Sequence, residues 1–186
     1  MTPPLILLAG TSESGKSSAG SHIAEQHHAR RIKIRSILAE LSTGRPVTHE
    51  GVPMREGFDH REFLELVRRL PEPGDPRILL IESFIDAELA EATKRVWTGP
   101  ARIVFITATH ANRIARLTAA AGISPDEATA TIAQKDARKR VAEQWPRWHS
   151  ITDDWIDNDG AYPAFMARLD AVITRATSGT KTKEMT

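Results

Sequence analysis

The sequence predicts an α/β fold built on a mostly parallel sheet, and three observations carry that prediction. A continuous apolar run, Leu5-Ile6-Leu7-Leu8-Ala9, lies near the start of the chain at strand length, as expected of a central strand covered on both faces. It leads directly into a glycine-punctuated loop, after which residues 16–28 read as a helix. Beyond them, strand-type and helix-type segments alternate to residue 174, the order that right-handed crossovers turn into a parallel sheet with ligands at the carboxyl ends of its strands. With 186 residues and 40% hydrophobic content there is material for one good core, so a single domain over residues 1–177 and a polar, disordered tail at 178–186 are expected.

The elements follow in order. Arg31-Ile32-Lys33-Ile34 alternates as a short second strand, and residues 36–41 are again helical in pattern. Gly44, Pro46, Gly51, Pro53 and Gly57 mark a loop, and Phe58, Phe63, Leu66, Val67 and Leu70 then share one helical face; residues 43–70 are the segment where an acceptor would be held. Pro71-Glu72-Pro73-Gly74 breaks that helix, and Arg77-Ile78-Leu79-Leu80-Ile81-Glu82 is a buried-type strand ending in an acid. A helix over 86–97 stops at Gly99-Pro100, and residues 101–107 form the fourth strand. A helix over 112–121 is followed by Ser124-Pro125-Asp126-Glu127, a capping box with proline at the first helical position. The helix it starts continues through Lys135-Asp136-Ala137-Arg138-Lys139-Arg140 toward Trp145-Pro146, before a fifth strand at 151–156 and a last helix at 162–174.

Composition removes several function classes. Lys and Arg total 25 against 24 Asp and Glu, so no broad nucleic-acid footprint is expected. The absence of cysteine excludes disulfides, thiolate metal sites and cysteine nucleophiles. The apolar stretch at 3–9 lacks a basic leader and is too short to span a bilayer; a cytoplasmic protein without a membrane partner is expected. No two of the seven histidines stand in a recognised metal-ligand motif. Asp153-Asp154 read as entry residues of the last strand and the four tryptophans as packing residues. The serines at 12, 14, 17 and 18 lack a nucleophile-elbow pattern.

The loop carries the chemistry. Gly10-Thr11-Ser12-Glu13-Ser14-Gly15-Lys16-Ser17 matches G-x-x-x-x-G-K-S/T without a mismatch, between an expected strand and an expected helix. Glycines let backbone N–H groups turn inward around phosphate oxygens, and the free amides of the following helix favour the anion. Lys16 would reach the β- and γ-phosphates of a nucleoside triphosphate, and the Ser17 hydroxyl would ligate Mg²⁺. Gly10, Ser12, Glu13, Ser14, Gly15, Lys16, Ser17 and Ser18 are therefore the expected phosphate-binding set.

With this loop the chain resembles the nucleoside-monophosphate kinase and dephospho-CoA kinase group. Three further stretches share the likeness: Ile78-Leu79-Leu80-Ile81-Glu82-Ser83, the segment from Ile103-Val104-Phe105-Ile106-Thr107-Ala108 through Arg113 and Arg116-Leu117 to Gly122-Ile123-Ser124-Pro125-Asp126-Glu127-Ala128, and Ile151-Thr152-Asp153-Asp154-Trp155-Ile156-Asp157-Asn158-Asp159-Gly160. The resemblance implies a three-layer P-loop NTPase fold, with a five-stranded mostly parallel sheet and a helical lid over roughly 113–140 that closes on ATP. It implies lid arginines, here Arg113, Arg116, Arg138 and Arg140, that stabilise charge on the transferring group, and Glu82 as the acid that helps hold the metal. Asn158 and Gly160 fall where the family contacts adenine.

Two departures bear on the acceptor. Where dephospho-CoA kinases carry an aspartate after the second strand, this chain has Ile32-Lys33-Ile34-Arg35-Ser36-Ile37-Leu38, and one lid arginine is replaced by Ala120. A phosphate acceptor is already ionised at neutral pH and needs no base, so the missing carboxylate favours a nucleotide or related phosphorylated acceptor, clamped by Lys33 or Arg35, with Asp59, Glu82 and Asp86 as the alternative sources of a base for a hydroxyl. Arg45, Arg55 and Arg61 are further cations for such an anion. The expected activity is ATP- and Mg²⁺-dependent transfer of a γ-phosphoryl group to that small molecule. Dephospho-CoA-like hydroxyl phosphorylation and a non-catalytic NTP-binding regulator are the alternatives, and the lack of an N-K-x-D stretch argues against a GTPase.

Overall fold

A computed structural model describes residues 2–41, 60–71 and 77–178. Five strands, β1 (Leu5–Gly10), β2 (Arg30–Lys33), β3 (Leu79–Phe84), β4 (Ala101–Thr107) and β5 (Asp154–Asp157), form one sheet in the order β2-β3-β1-β4-β5. Every pairing is parallel, a stricter arrangement than the mostly parallel sheet expected. Eight helices accompany the strands among the described residues: α1 (Lys16–Gln26), α2 (Ile34–Leu41), α3 (His60–Arg69), α4 (Ala87–Val96), α5 (His110–Ala121), α6 (Pro125–Arg138), α7 (Val141–Ile151) and α8 (Tyr162–Ser178).

The alternation of side chains along β1 builds the two outer layers. Leu5, Leu7 and Ala9 face one way, into a cluster with Phe63 and Val67 of α3, Leu89 and Ala90 of α4, and Trp148 of α7. Ile6 and Leu8 face the other way, against Ala19 and Ile23 of α1 and Phe165, Leu169 and Ile173 of α8. Both faces of β1 are thus fully buried, which is why its sequence is apolar without a break. A third, small cluster of Leu117, Ala128 and Ile132 joins α5 to α6 apart from the sheet.

Several boundaries differ from expectation for local reasons. The long helix expected from Ser124 toward Trp145 is two helices, because Arg140 takes a left-handed conformation (φ 51°) and starts α7 as its N-cap. The Ser124 capping box is present, with the Ser124 side chain accepting from Glu127 N and the Glu127 carboxylate accepting from Ser124 N at 2.9 Å. Residues 151–153 do not belong to the last strand: Ile151 ends α7, and Asp153 accepts from Ile103 N at 2.7 Å just ahead of β5. The last helix continues to Ser178, so the expected tail loses its first residue to α8. Most of the acceptor segment, 43–59, and the tail at 179–186 lie outside the described residues. No helix among the described residues is long and apolar enough to cross a membrane.

Candidate nucleotide site

The phosphate loop joins β1 to α1 at the carboxyl end of the central strand. Gly15 is the N-cap of α1 in a left-handed conformation (φ 99°) with no side-chain cap, so the amides of the first helical turn are left for a ligand. A Cβ at Gly15 would lie 2.4 Å from Asn158 Nδ2, which excludes any other residue on space as well as on conformation. That Asn158 amide donates to Ser14 O at 2.8 Å, while Asn158 N donates to Thr107 O at 2.9 Å; the last-strand loop thereby braces the phosphate loop. Ser14 Oγ closes the loop from within, donating to Thr11 O at 2.9 Å.

Lys16 is 8% exposed and its ammonium is folded into the loop, donating to Gly10 O at 3.1 Å and to Thr11 O. Burial, followed by the neighbouring charge of Lys139, lowers its pKa to about 7, with Glu13 and Asp136 opposing the shift. A bound polyphosphate would supply the negative charge that this buried cation lacks.

The helical pair α5–α6 closes over the loop through a lattice of charged contacts. Arg113 Nε donates to Ser12 O at 2.6 Å and its Nη2 pairs with Asp136 of α6. Asp136 in turn accepts from Ser12 N at 3.1 Å, Lys139 donates to Ser12 Oγ at 2.8 Å, and Lys135 donates to Glu13 Oε1 at 2.7 Å. Burial would raise the Asp136 carboxyl, but the hydrogen bonds from Arg113 and Ser12 hold it below its ordinary pKa. Between the loop and the α5–α6 pair lies a cavity of about 490 Å³ whose lining includes Lys16, Arg116, Lys135, Arg138 and Lys139, with Glu13 its one carboxylate among the described residues.

The expected site residues separate by position. Ser12, Glu13, Gly15, Lys16, Ser17, Ser18, Arg116 and Arg138 line this cavity, together with Ala120. Arg116 hydrogen-bonds to Asn158 O through one nitrogen, while its buried Nη1 has no hydrogen-bond partner. Arg113 is buried behind the lining as a strut between loop and lid. Arg140 is exposed and paired with Glu143 at 2.6 Å, away from the cavity. A Cβ at Gly160 would meet Arg168, with no loop atom among its near neighbours. Lys135, Asp136 and Lys139 were not singled out from the sequence; their spacing puts all three on one side of the end of α6, a signal readable only once the loop is known to pack there.

Glu82 sits on β3 beside β2, 1% exposed, with Oε2 held by Arg31 Nε at 2.8 Å and Nη2 at 2.7 Å. Lys33 Nζ is 3.7 Å from Oε1, which has no hydrogen-bond partner. Arg31 also donates to Ser17 O at 3.3 Å and to Ser21 Oγ at 2.8 Å, so the Glu82–Arg31 pair leans on the first turns of α1. The buried Oε1, without a hydrogen-bond partner, and the Ser17 hydroxyl on the cavity wall are oxygen donors of the kind Mg²⁺ prefers. Gly20 makes the close approach possible: a Cβ there would lie 2.2 Å from Glu82 Oε2 and 2.8 Å from Arg31 Nε. Glycine to alanine inside a helix ordinarily stabilises by about 1 kcal/mol. Gly20→Ala is expected to do the reverse, costing about 1–3 kcal/mol in urea unfolding by overpacking the ion pair; a stabilised variant would refute the packing described.

Of the expected acceptor cations, Lys33 is 37% exposed at the end of β2, Arg35 is half-buried on α2 and Arg61 is exposed on α3. Arg45 and Arg55 lie outside the described residues.

An all-parallel sheet in the order 2-3-1-4-5, with a phosphate loop between its central strand and α1, defines a P-loop kinase-like fold. No family model matches the chain, and no curated protein matches it. Solved structures share the fold. An uncharacterized protein from Eubacterium ventriosum superposes with a TM-score of 0.65 at 12% identity, covering 94% of this chain and 98% of that one. A gluconokinase from Sinorhizobium meliloti gives 0.59 at 20% identity over 96% of each chain. A shikimate kinase from Acinetobacter baumannii, in complex with shikimate, gives 0.58 at 15% identity, covering 97% of this chain and 96% of that one.

Proposed function

We propose that this chain is an ATP- and Mg²⁺-dependent kinase that phosphorylates an anionic small molecule, with a nucleotide or related phosphorylated metabolite as the favoured acceptor. The observation that carries the reading is the cavity between loop and lid, where five cationic side chains face one carboxylate around the uncapped amides of α1. Lys16 and the first-turn amides would hold the β- and γ-phosphates, and Arg116 and Arg138 would balance charge on the transferring group. A bound Mg²⁺ would supply positive charge against the phosphates. Ser17 and Glu82 are the residues that would hold it. The phosphorylated acceptor is favoured because β2 ends in Lys33 without a carboxylate, and Glu82 beside it on β3 is paired with Arg31.

A second reading, transfer to a hydroxyl of a small carboxylate, is favoured by the structural likeness to a gluconokinase and a shikimate kinase. A single experiment separates the two readings. With γ-labelled ATP and Mg²⁺, the protein is offered nucleoside monophosphates, nucleosides, dephospho-CoA, gluconate and shikimate. Label is expected on a phosphorylated acceptor, and Lys16→Ala is expected to lower the rate by about 10³-fold or more, the scale of removing a cation from phosphoryl transfer. Label only on gluconate, shikimate or another hydroxyl would establish the second reading, and tight ATP binding without transfer would point to a nucleotide-dependent regulator.

A further inference from the structure

On the face of the molecule formed by α1 and α8, three potential metal ligands converge. His22 Nε2 and His27 Nε2 each lie 2.7 Å from Asp170 Oδ1. The ligand atoms of the three side chains all fall within 4.8 Å of one another, and the two rings meet edge to face with centroids 6.3 Å apart. The histidine side chains are 15% and 22% exposed and Asp170 is 44% exposed, so the cluster is walled by protein on one side and open to water on the other.

The spacing of the histidines hides this cluster. Residues five apart on a regular helix point about 140° away from each other. Here α1 ends at Gln26, and His27 is its C-cap with φ −112° and ψ 10°, which brings its ring back beside that of His22. Asp170 is supplied from α8, 143 residues further along the chain.

We propose that His22, His27 and Asp170 form a binding site for one divalent transition-metal ion, with Zn²⁺ as the preferred occupant. Two imidazoles and one carboxylate, with an open side for water, make a three-ligand zinc set, and the imidazoles disfavour the hard ions Mg²⁺ and Ca²⁺. Tetrahedral zinc with bonds near 2.0–2.2 Å places its ligand atoms about 3.4 Å apart, between the 2.7 Å of the two histidine–Asp170 contacts and the 4.8 Å within which all three ligand atoms lie. On binding, each Nε2 lone pair turns to the metal, and a proton held at Nε2 moves to Nδ1 or to solvent. Zinc there would tie the far end of the helix that begins with Lys16 to α8, whose Phe165 and Leu169 pack in the same apolar layer as Ala19 and Ile23 of α1.

The test uses the full-length, untagged protein, stripped with EDTA, desalted and free of nucleotide. Titration with ZnCl₂ by calorimetry is expected to show one site with Kd on the order of micromolar and a thermal midpoint raised by about 5 °C at saturation. Asp170→Asn, and His22→Gln with His27→Gln, are expected to weaken binding by more than about tenfold, whereas His149→Ala leaves it unchanged. Co²⁺ in place of Zn²⁺ is expected to give visible d–d absorption bands that disappear in Asp170→Asn. Should the histidine variants fail to fold, Asp170→Asn and the Co²⁺ spectrum of the wild type decide. Absence of binding to the wild type, or wild-type affinity in Asp170→Asn, would overturn the proposal and leave a hydrogen-bonded clamp. No outcome depends on phosphoryl transfer.

Discussion

Lys16→Met is expected to remove a pH dependence of stability that the wild type carries, worth about 2–3 kcal/mol between pH 7 and pH 9. The Lys16 ammonium is buried, and its folded-state pKa is about 7 against an ordinary value of 10.5. Below pH 7 it is charged in both folded and unfolded chains, and the cost of burying the charge is present in full. Between about pH 7 and pH 10.5 the unfolded chain keeps the proton that the folded chain has released, so wild-type stability rises with pH at about 1.4 kcal/mol per unit. Methionine has nothing to titrate, and urea unfolding of both proteins at matched pH isolates the difference; parallel curves would refute the reading. The same cation makes nucleotide binding a proton-linked event. Phosphate charge beside Lys16 restores its proton, so ATP binding near pH 8 is expected to take up about one proton. Calorimetry in two buffers of different ionisation heat measures it, and equal heats would show that Lys16 is already charged in the free protein.

Arg113→Ala and Arg138→Ala are expected to fail in opposite ways, although both lie on the α5–α6 pair. Arg113 is 8% exposed and joins Ser12 O to the Asp136 carboxylate, so its loss takes the cationic partner from a half-buried anion and removes one of the ties between loop and α6. A loss of about 3–5 kcal/mol in unfolding free energy and a raised KM for ATP are expected, the signature of a broken buried pair. Arg138 is exposed on the cavity wall and makes no hydrogen bond or ion pair among the described residues, so its removal should leave stability within about 0.5 kcal/mol. Its effect is expected in kcat, lowered by about 10³-fold as for other cations that meet the transferring phosphoryl group. Arg113→Lys should not restore stability fully, since a point charge cannot make both contacts of the guanidinium. Equal losses of kcat with no loss of stability would place both arginines on the phosphate and refute the strut.

The loop motif was legible because it is contiguous: the spacing of its glycines, lysine and serine is written in eight consecutive residues between a strand and a helix. The central strand was legible for a related reason, since burial on both faces leaves no polar position in Leu5-Ile6-Leu7-Leu8-Ala9. Periodicity also exposed α6, whose capping box is a local signal, but not the break at Arg140, where a left-handed residue interrupts a run that reads as helical throughout. Which lid cations serve the cavity and which brace it was not legible. Arg113, Arg116 and Arg138 look alike in sequence, and only the packing of α5 and α6 on Ser12 and Glu13 separates them. The same holds for Glu82, an acid at a strand end whose commitment to Arg31 follows from the pairing of β2 with β3. It holds again for His22, His27 and Asp170, which meet only because α1 ends at Gln26 and α8 crosses beside it. The sequence by itself determined the phosphate loop, the central strand and the α/β order, since short-range sterics and burial pattern dictate each of them. Tertiary structure alone decided the charge partners, because electrostatic roles depend on distances between residues that are remote in the chain.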